Sequence, residues 1–131
     1  MPKSFPPKYY VIFTDSPDNP IHRNKVIGGL RVALTLLMEE FEVIILLLQE
    51  SVTIARKPAK DTPKDSEEED ANFSPEELLD GLISFGANVM SCKSSLTMVG
   101  MEAEDLVPGV EIVSLHSALI KMNDCNNTLT F

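Results

Sequence analysis

The stretch Glu42-Val-Ile-Ile-Leu-Leu-Leu48 decides the fold. Its six apolar residues, Val43 to Leu48, are too few for a free-standing helix, and their lack of alternation argues against a strand wetted on one face. A short unbroken run rich in branched aliphatic residues suits a strand covered on both sides, the kind found in the middle of a parallel sheet. It is also the longest apolar stretch in the chain and falls far short of the ~20 residues that cross a bilayer as a helix.

Working outward from this strand, Asn24 to about Phe41 carries Ile27, Leu30, Leu34, Leu37, Met38 and Phe41 at one-, three- and four-residue steps, which predicts a helix. Val26, Ala33 and Leu36 widen its apolar stripe beyond what one sheet contact needs, so part of it is expected to face another subunit. Before the helix, Lys8-Tyr-Tyr-Val-Ile-Phe-Thr14 has strand composition and runs into the turn formers Asp15-Ser-Pro-Asp-Asn-Pro20. After the central run comes a weaker apolar piece, Val52-Thr-Ile-Ala55. Residues 56–72 then read as a mobile acidic insertion with no large apolar residue. Within 58–72 two lysines stand against six acids, a net charge of −4.

Ser74-Pro-Glu-Glu77 combines a capping serine, a proline at the first helical position and acids in the first turn, and so opens a second helix. Gly86 closes it, and Asn88-Val-Met-Ser-Cys92 reads as a third strand. Lys93 to Met98 can turn into a helix, and a further helical segment is expected over 104–107. Pro108-Gly109 then breaks the chain before a fourth strand, Val110 to Ser114. A short helix over 115–122, a turn over 124–127 and a strand over 128–131 complete the order. Strands alternating with helices predict an α/β fold, a three-layer α/β/α sandwich around a five-stranded parallel sheet, with residues 1–131 forming a single domain.

The composition is consistent with this reading. A chain of 131 residues with 44% apolar content can bury roughly two-thirds of its unfolded surface, enough for a core without metal or disulfide support. A net charge of −9 argues against nucleic acid and anionic membranes as partners, because both are gripped through Lys and Arg. No export or anchoring pattern is visible near Met1, so the protein is expected in the cytoplasm. There Cys92 and Cys125 should be free thiols; without CxxC spacing or clustered histidines they support neither a disulfide scaffold nor a metal site.

Ligands of parallel sheets bind beyond the carboxyl ends of the strands. The loop after the first strand is wrong for a flavin phosphate: Asp15 and Asp18 would repel it, and Pro17 and Pro20 remove backbone donors. A phospho-acceptor aspartate is missing from the end of the third strand, where Cys92 stands instead. Gly28-Gly29 lies inside a helix without dinucleotide spacing and reads as a site of close packing. Cys92 falls where a strand passes into a helix, facing unpaired N–H groups and next to Lys93, a setting that favours the thiolate. Two readings of it stand: an activated nucleophile, or a small buried apolar residue. Cys125, His22 and His116 occupy polar turns or isolated positions and read as surface residues.

The stretch from Glu76 to Leu96, with Gly86, Val89, Cys92 and Ser95 spaced as G-x-x-V-x-x-C-x-x-S, resembles the DsrE/DsrF-like family of small sulfur-relay proteins. The likeness continues through 98–101, 104–111 and 124–131, and is looser over 8–55. The resemblance implies the flavodoxin-like five-stranded sheet and assembly of the chain with itself as a homo-trimer or hexamer. It also implies a cysteine that takes up sulfane sulfur as a persulfide or thiosulfonate and passes it to a TusA-type carrier or a sulfur-metabolism enzyme, without metal or organic cofactor. Cys92 matches that cysteine, and the amides of Lys93, Ser94 and Ser95 would hold the loaded sulfur. Thr14 and His22 would rim the same pocket. A rival reading is an oligomeric interaction protein of the same fold with an inert cysteine. A third, dithiol catalysis, requires Cys125 within bonding reach of Cys92.

Overall fold

Val43 to Leu47 lie in the central strand of five, as expected for residues buried from both sides. The computed structural model describes residues 7–58 and 74–131. Its elements in chain order are β1 (Lys8–Phe13), α1 (Arg23–Met38), β2 (Glu42–Leu47), a 3-10 turn (Gln49–Ala55), α2 (Pro75–Ser84), β3 (Asn88–Cys92), α3 (Lys93–Val99), a second 3-10 turn (Ala103–Asp105), β4 (Val110–Val113), α4 (Leu115–Met122) and β5 (Asn127–Thr130). All strand pairs are parallel, in the order β4-β3-β2-β1-β5, with Phe13 opposite Leu47, Leu47 opposite Ser91 and Cys92 opposite Val113. Most of the reading of 56–72 as an insertion falls outside the described residues. Arg56 and Lys57 are described, and they pair with the second 3-10 turn and the residue after it.

Alternation along the strands divides the apolar residues between two layers. Val11, Phe13, Val43, Ile45, Leu47 and Val89 face α1, α2 and the long 3-10 turn. Tyr10, Leu46 and Met90 face the other way, toward Ala118 of α4. The weaker apolar piece at 52–55 is the buried part of the 3-10 turn, which plugs the first layer with Val52, Ile54 and Ala55. The segment expected to be helical over 104–107 is shorter and earlier, at Ala103–Asp105.

The wide stripe of α1 is used largely within the chain. Val26, Leu30 and Ala33 are sealed against the sheet, while Leu34 lies beside Gly81 of α2. The start of α2 follows its local chemistry: the Ser74 hydroxyl accepts the N–H of Glu77 at 3.1 Å, with Pro75 behind it.

Ser91 alternates onto the α1/α2 side and is fully buried, yet its hydroxyl has no hydrogen-bond partner among the described residues. A buried unpaired hydroxyl costs free energy that its removal returns, so Ser91→Ala is expected to raise stability by about 1 kcal/mol. Chemical denaturation checks this, and a lowered midpoint would show that the hydroxyl is paired in solution.

Candidate functional site

The carboxyl ends of β1, β2 and β3 lie on one rim of the sheet, and each strand delivers a polar loop there. Cys92 is both the last residue of β3 and the cap residue of α3, with extended backbone at φ −75° and ψ 126°. From that position its side chain makes no capping hydrogen bond to the first turn of the helix. The Ser94 hydroxyl lies 3.3 Å from the sulfur. Burial raises the thiol's pKa, but hydrogen bonds from the hydroxyls and backbone N–H groups of Ser94 and Ser95 outweigh it, leaving the value below that of ordinary cysteine. These donors are uncharged. Lys93 is exposed and is not among the groups that lower the pKa.

The thiol is only 1% exposed. Ser95, also buried, accepts the backbone N–H of Gln49 at 2.8 Å, which ties the start of the 3-10 turn after β2 to the first turn of α3. Gln49 has φ +56°, a left-handed conformation uncommon for a residue with a side chain. The sequence reading set residues 49–55 on the rim of the pocket but did not foresee this backbone, since glutamine carries no signal for it.

Thr14 and His22 lie on the same rim but are held by other partners. The Thr14 backbone N–H donates to the Phe131 carbonyl at 3.0 Å. His22 Nδ1 lies 3.8 Å from Asp15, whose carboxylate also takes a hydrogen bond from Lys25. The Lys25 bond is the main reason Asp15 titrates below the usual range; partial burial opposes it, and the charges of His22 and Lys25 add to it. Arg56 pairs with Asp18 at 3.5 Å. The rim therefore holds a hydroxyl-lined thiol at β3 and a separate charged cluster at the end of β1.

Cys125 is at the opposite edge of the sheet. Burial pushes its thiol up; Lys8 pulls it down, and Asp124 and Glu42 push it further up. Lys8 and Glu42 open β1 and β2, so Cys125 sits by the amino ends and Cys92 at a carboxyl end. Five residue steps along β2 span roughly 16 Å, against the ~7 Å Cα separation that limits a disulfide. This geometry rules out the dithiol reading.

Among the described residues no three His, Cys, Asp or Glu side chains are gathered closely enough to hold a metal ion. An open concavity of about 440 Å³ lies elsewhere, between Ile54, Arg56, Glu76, Leu79, Asp80 and Val107.

The model of the DsrE/DsrF-like family matches residues 8–131. The chain belongs to that family. A Methanocaldococcus jannaschii protein named as uncharacterized, MJ0989, is 32% identical over 95% of this chain and 99% of its own. A second, MK0008 from Methanopyrus kandleri, is 30% identical over 86% of each. Among solved structures, ychN from E. coli superposes with a TM-score of 0.76 at 21% identity, covering 97% of this chain and all of that one. MTH1491 from Methanobacterium thermoautotrophicum gives 0.60 at 16% identity, covering 95% and 97%. The family as a whole is related to sulfur relay, and the DsrE-like α/β fold with its five-stranded parallel sheet is shared. Among the described residues of this DsrE/DsrF-like chain, no helix is long and apolar enough to cross a membrane.

Proposed function

We propose that this protein is a cytoplasmic sulfur-relay component carrying sulfane sulfur on Cys92. One observation carries the reading: the sulfur sits at the carboxyl end of β3, where the chain passes into α3, with the Ser94 hydroxyl 3.3 Å away. In the loading step the thiolate attacks the outer sulfur of a persulfide donor, R-S-SH, forming Cys92-S-SH and releasing R-S⁻. In the discharge step an acceptor thiolate attacks that same outer sulfur and returns Cys92 as thiolate. No electrons are gained or lost overall. Because Cys92 is nearly sealed, loading requires a local opening around it. The acceptor we propose is a small carrier of the TusA type or a sulfur-metabolism enzyme.

We propose further that the chain assembles with itself, as a trimer or hexamer, through the α4 side of the sheet. There one helix of 8 residues is the cover among the described elements, and Leu115, Leu119 and Ile120 are exposed. The same exposure, with the burial of Cys92, favours the second reading of an assembly protein whose cysteine is inert.

Incubating reduced protein with polysulfide or tetrathionate, followed by peptide mass spectrometry, separates the two. An adduct on Cys92 that a thiol reverses, lost in Cys92→Ser and kept in Cys125→Ser, is the expected result. No adduct, or equal labelling of both cysteines, would leave the inert assembly protein.

A further inference from the structure

The concavity of about 440 Å³ beside α2 lies apart from the site built around Cys92. Its floor is apolar: Ile54, Leu79 and Val107 come from the long 3-10 turn, from α2 and from the chain ahead of β4. Its rim is acidic. Glu76, Glu77 and Asp80 are exposed residues of α2, and among the described residues none of them has an ion-pair partner. Glu76 and Glu77 gain from the positive end of the helix, as acids of a first turn do. Asp80 lies beyond that turn and is four residues from Glu76, a spacing at which like charges repel. Arg56 also stands on the rim, yet its guanidinium pairs at 3.5 Å with Asp18 in the loop after β1. Three carboxylates thus border an apolar floor without compensation from the described residues. The walls limit what fits. Ile54, Arg56 and Pro58 are alternate residues, and Arg56 has extended backbone at φ −72° and ψ 137°, bridged antiparallel to Leu106. Such an open trough suits an extended segment better than a compact ligand. Pro58 and Pro108 have no N–H to offer, so the grip must come from side chains and not from strand pairing. Lysine and arginine match it, since their methylene stems cover apolar surface while their charged heads reach carboxylates. The chain's own acidic stretch over 58–72, with net charge −4, has the wrong sign for this rim.

We propose that this trough is a docking site for an extended, lysine- or arginine-bearing segment of a partner protein. The aliphatic stems lie on Ile54, Leu79 and Val107, and the cationic heads meet Glu76, Glu77 and Asp80. The site is separate from Cys92, so it stands whether that thiol reacts or is inert.

The test is fluorescence anisotropy of a labelled short peptide of alternating leucine and lysine, titrated with the full chain at low salt. Saturable binding with a dissociation constant of roughly 10–100 μM is expected. Glu76→Gln combined with Asp80→Asn should weaken it roughly fivefold, as the loss of two solvated ion pairs allows. Glu39→Gln combined with Glu40→Gln removes the same charge from the loop after α1 and should change binding by less than about twofold. A peptide with serine in place of leucine should bind roughly tenfold more weakly. Absence of saturable binding overturns the proposal. Equal losses in the two double variants also overturn it, since they would mark attraction to net charge alone. So does equal affinity for the serine peptide, which would leave the apolar floor unused.

Discussion

Gly29→Ala is expected to cost about 2 kcal/mol, whereas Gly28→Ala, one residue earlier in the same helix, is expected to stabilise by up to about 1 kcal/mol. A Cβ at position 29 would lie 2.6 Å from Cγ of Phe131 and 2.7 Å from Cε2 of Phe13. Those rings stack at 5.6 Å between centroids, and Phe13 is fully buried, so neither can yield without disturbing the other. Overpacking of this kind costs about 1–3 kcal/mol, and the better helix propensity of alanine returns only part of it. At position 28 nothing lies within 4 Å, so the propensity gain comes without a clash. Chemical denaturation of both variants checks the contrast. Phe131→Leu combined with Gly29→Ala should cost less than the two separately, because relief of the clash couples them. Equal effects at positions 28 and 29 would show that the rings move freely.

The second large effect is alkaline. Tyr10 is fully buried and donates its hydroxyl to the Ala118 carbonyl at 2.5 Å, fastening α4 to β1. Burial, aided by the neighbouring Cys125, pushes its pKa up to about 12 from 10.0. A raised native value means that the unfolded chain ionises first. The stabilising contribution is therefore complete below pH 10 and is lost as pH rises toward 12, by about 3 kcal/mol in all. Cys92 has the opposite sign, and its contribution is already complete above the ordinary thiol range, so it does not alter this window. Unfolding free energies measured from pH 9 to 12 should fall in the unsubstituted protein and much less in Tyr10→Phe. Parallel slopes in the two proteins would remove Tyr10 as the cause. At neutral pH the same substitution is expected to cost about 1 kcal/mol for the lost hydrogen bond.

What could be read from the sequence was whatever is written locally. The unalternated run at 43–47 placed β2 in the centre, Ser74-Pro75 placed the start of α2, and Cys92 was located at a strand-to-helix junction. What escaped depends on contacts between distant residues. Gly28 and Gly29 are indistinguishable in sequence, and only the aromatic stack with Phe131 tells them apart. Val26 and Ala33 read as surplus apolar residues on the far sides of α1 but proved to be its core, since α1 packs on both the sheet and α2. Lys93 stood out through its charge, whereas the groups that act on the sulfur are hydroxyls and amides. His22 was placed on the correct rim, but its partner is Asp15 in its own loop. The left-handed backbone of Gln49 had no sequence signature.

The place of β1 in the sheet also has a kinetic consequence. Its neighbours are β2 and β5, and Lys8 is bonded to Asn126 across 118 positions. Forming that edge closes a loop of most of the chain, whose entropy must be lost before the pairing repays it. Until β5 docks, β1 presents an open row of amides and carbonyls, and the Phe13–Phe131 stack over Gly29 cannot form. Docking of β5 is thus expected to be the slow, late event in refolding, and the species that precedes it, with a bare strand edge, is the one prone to join other chains.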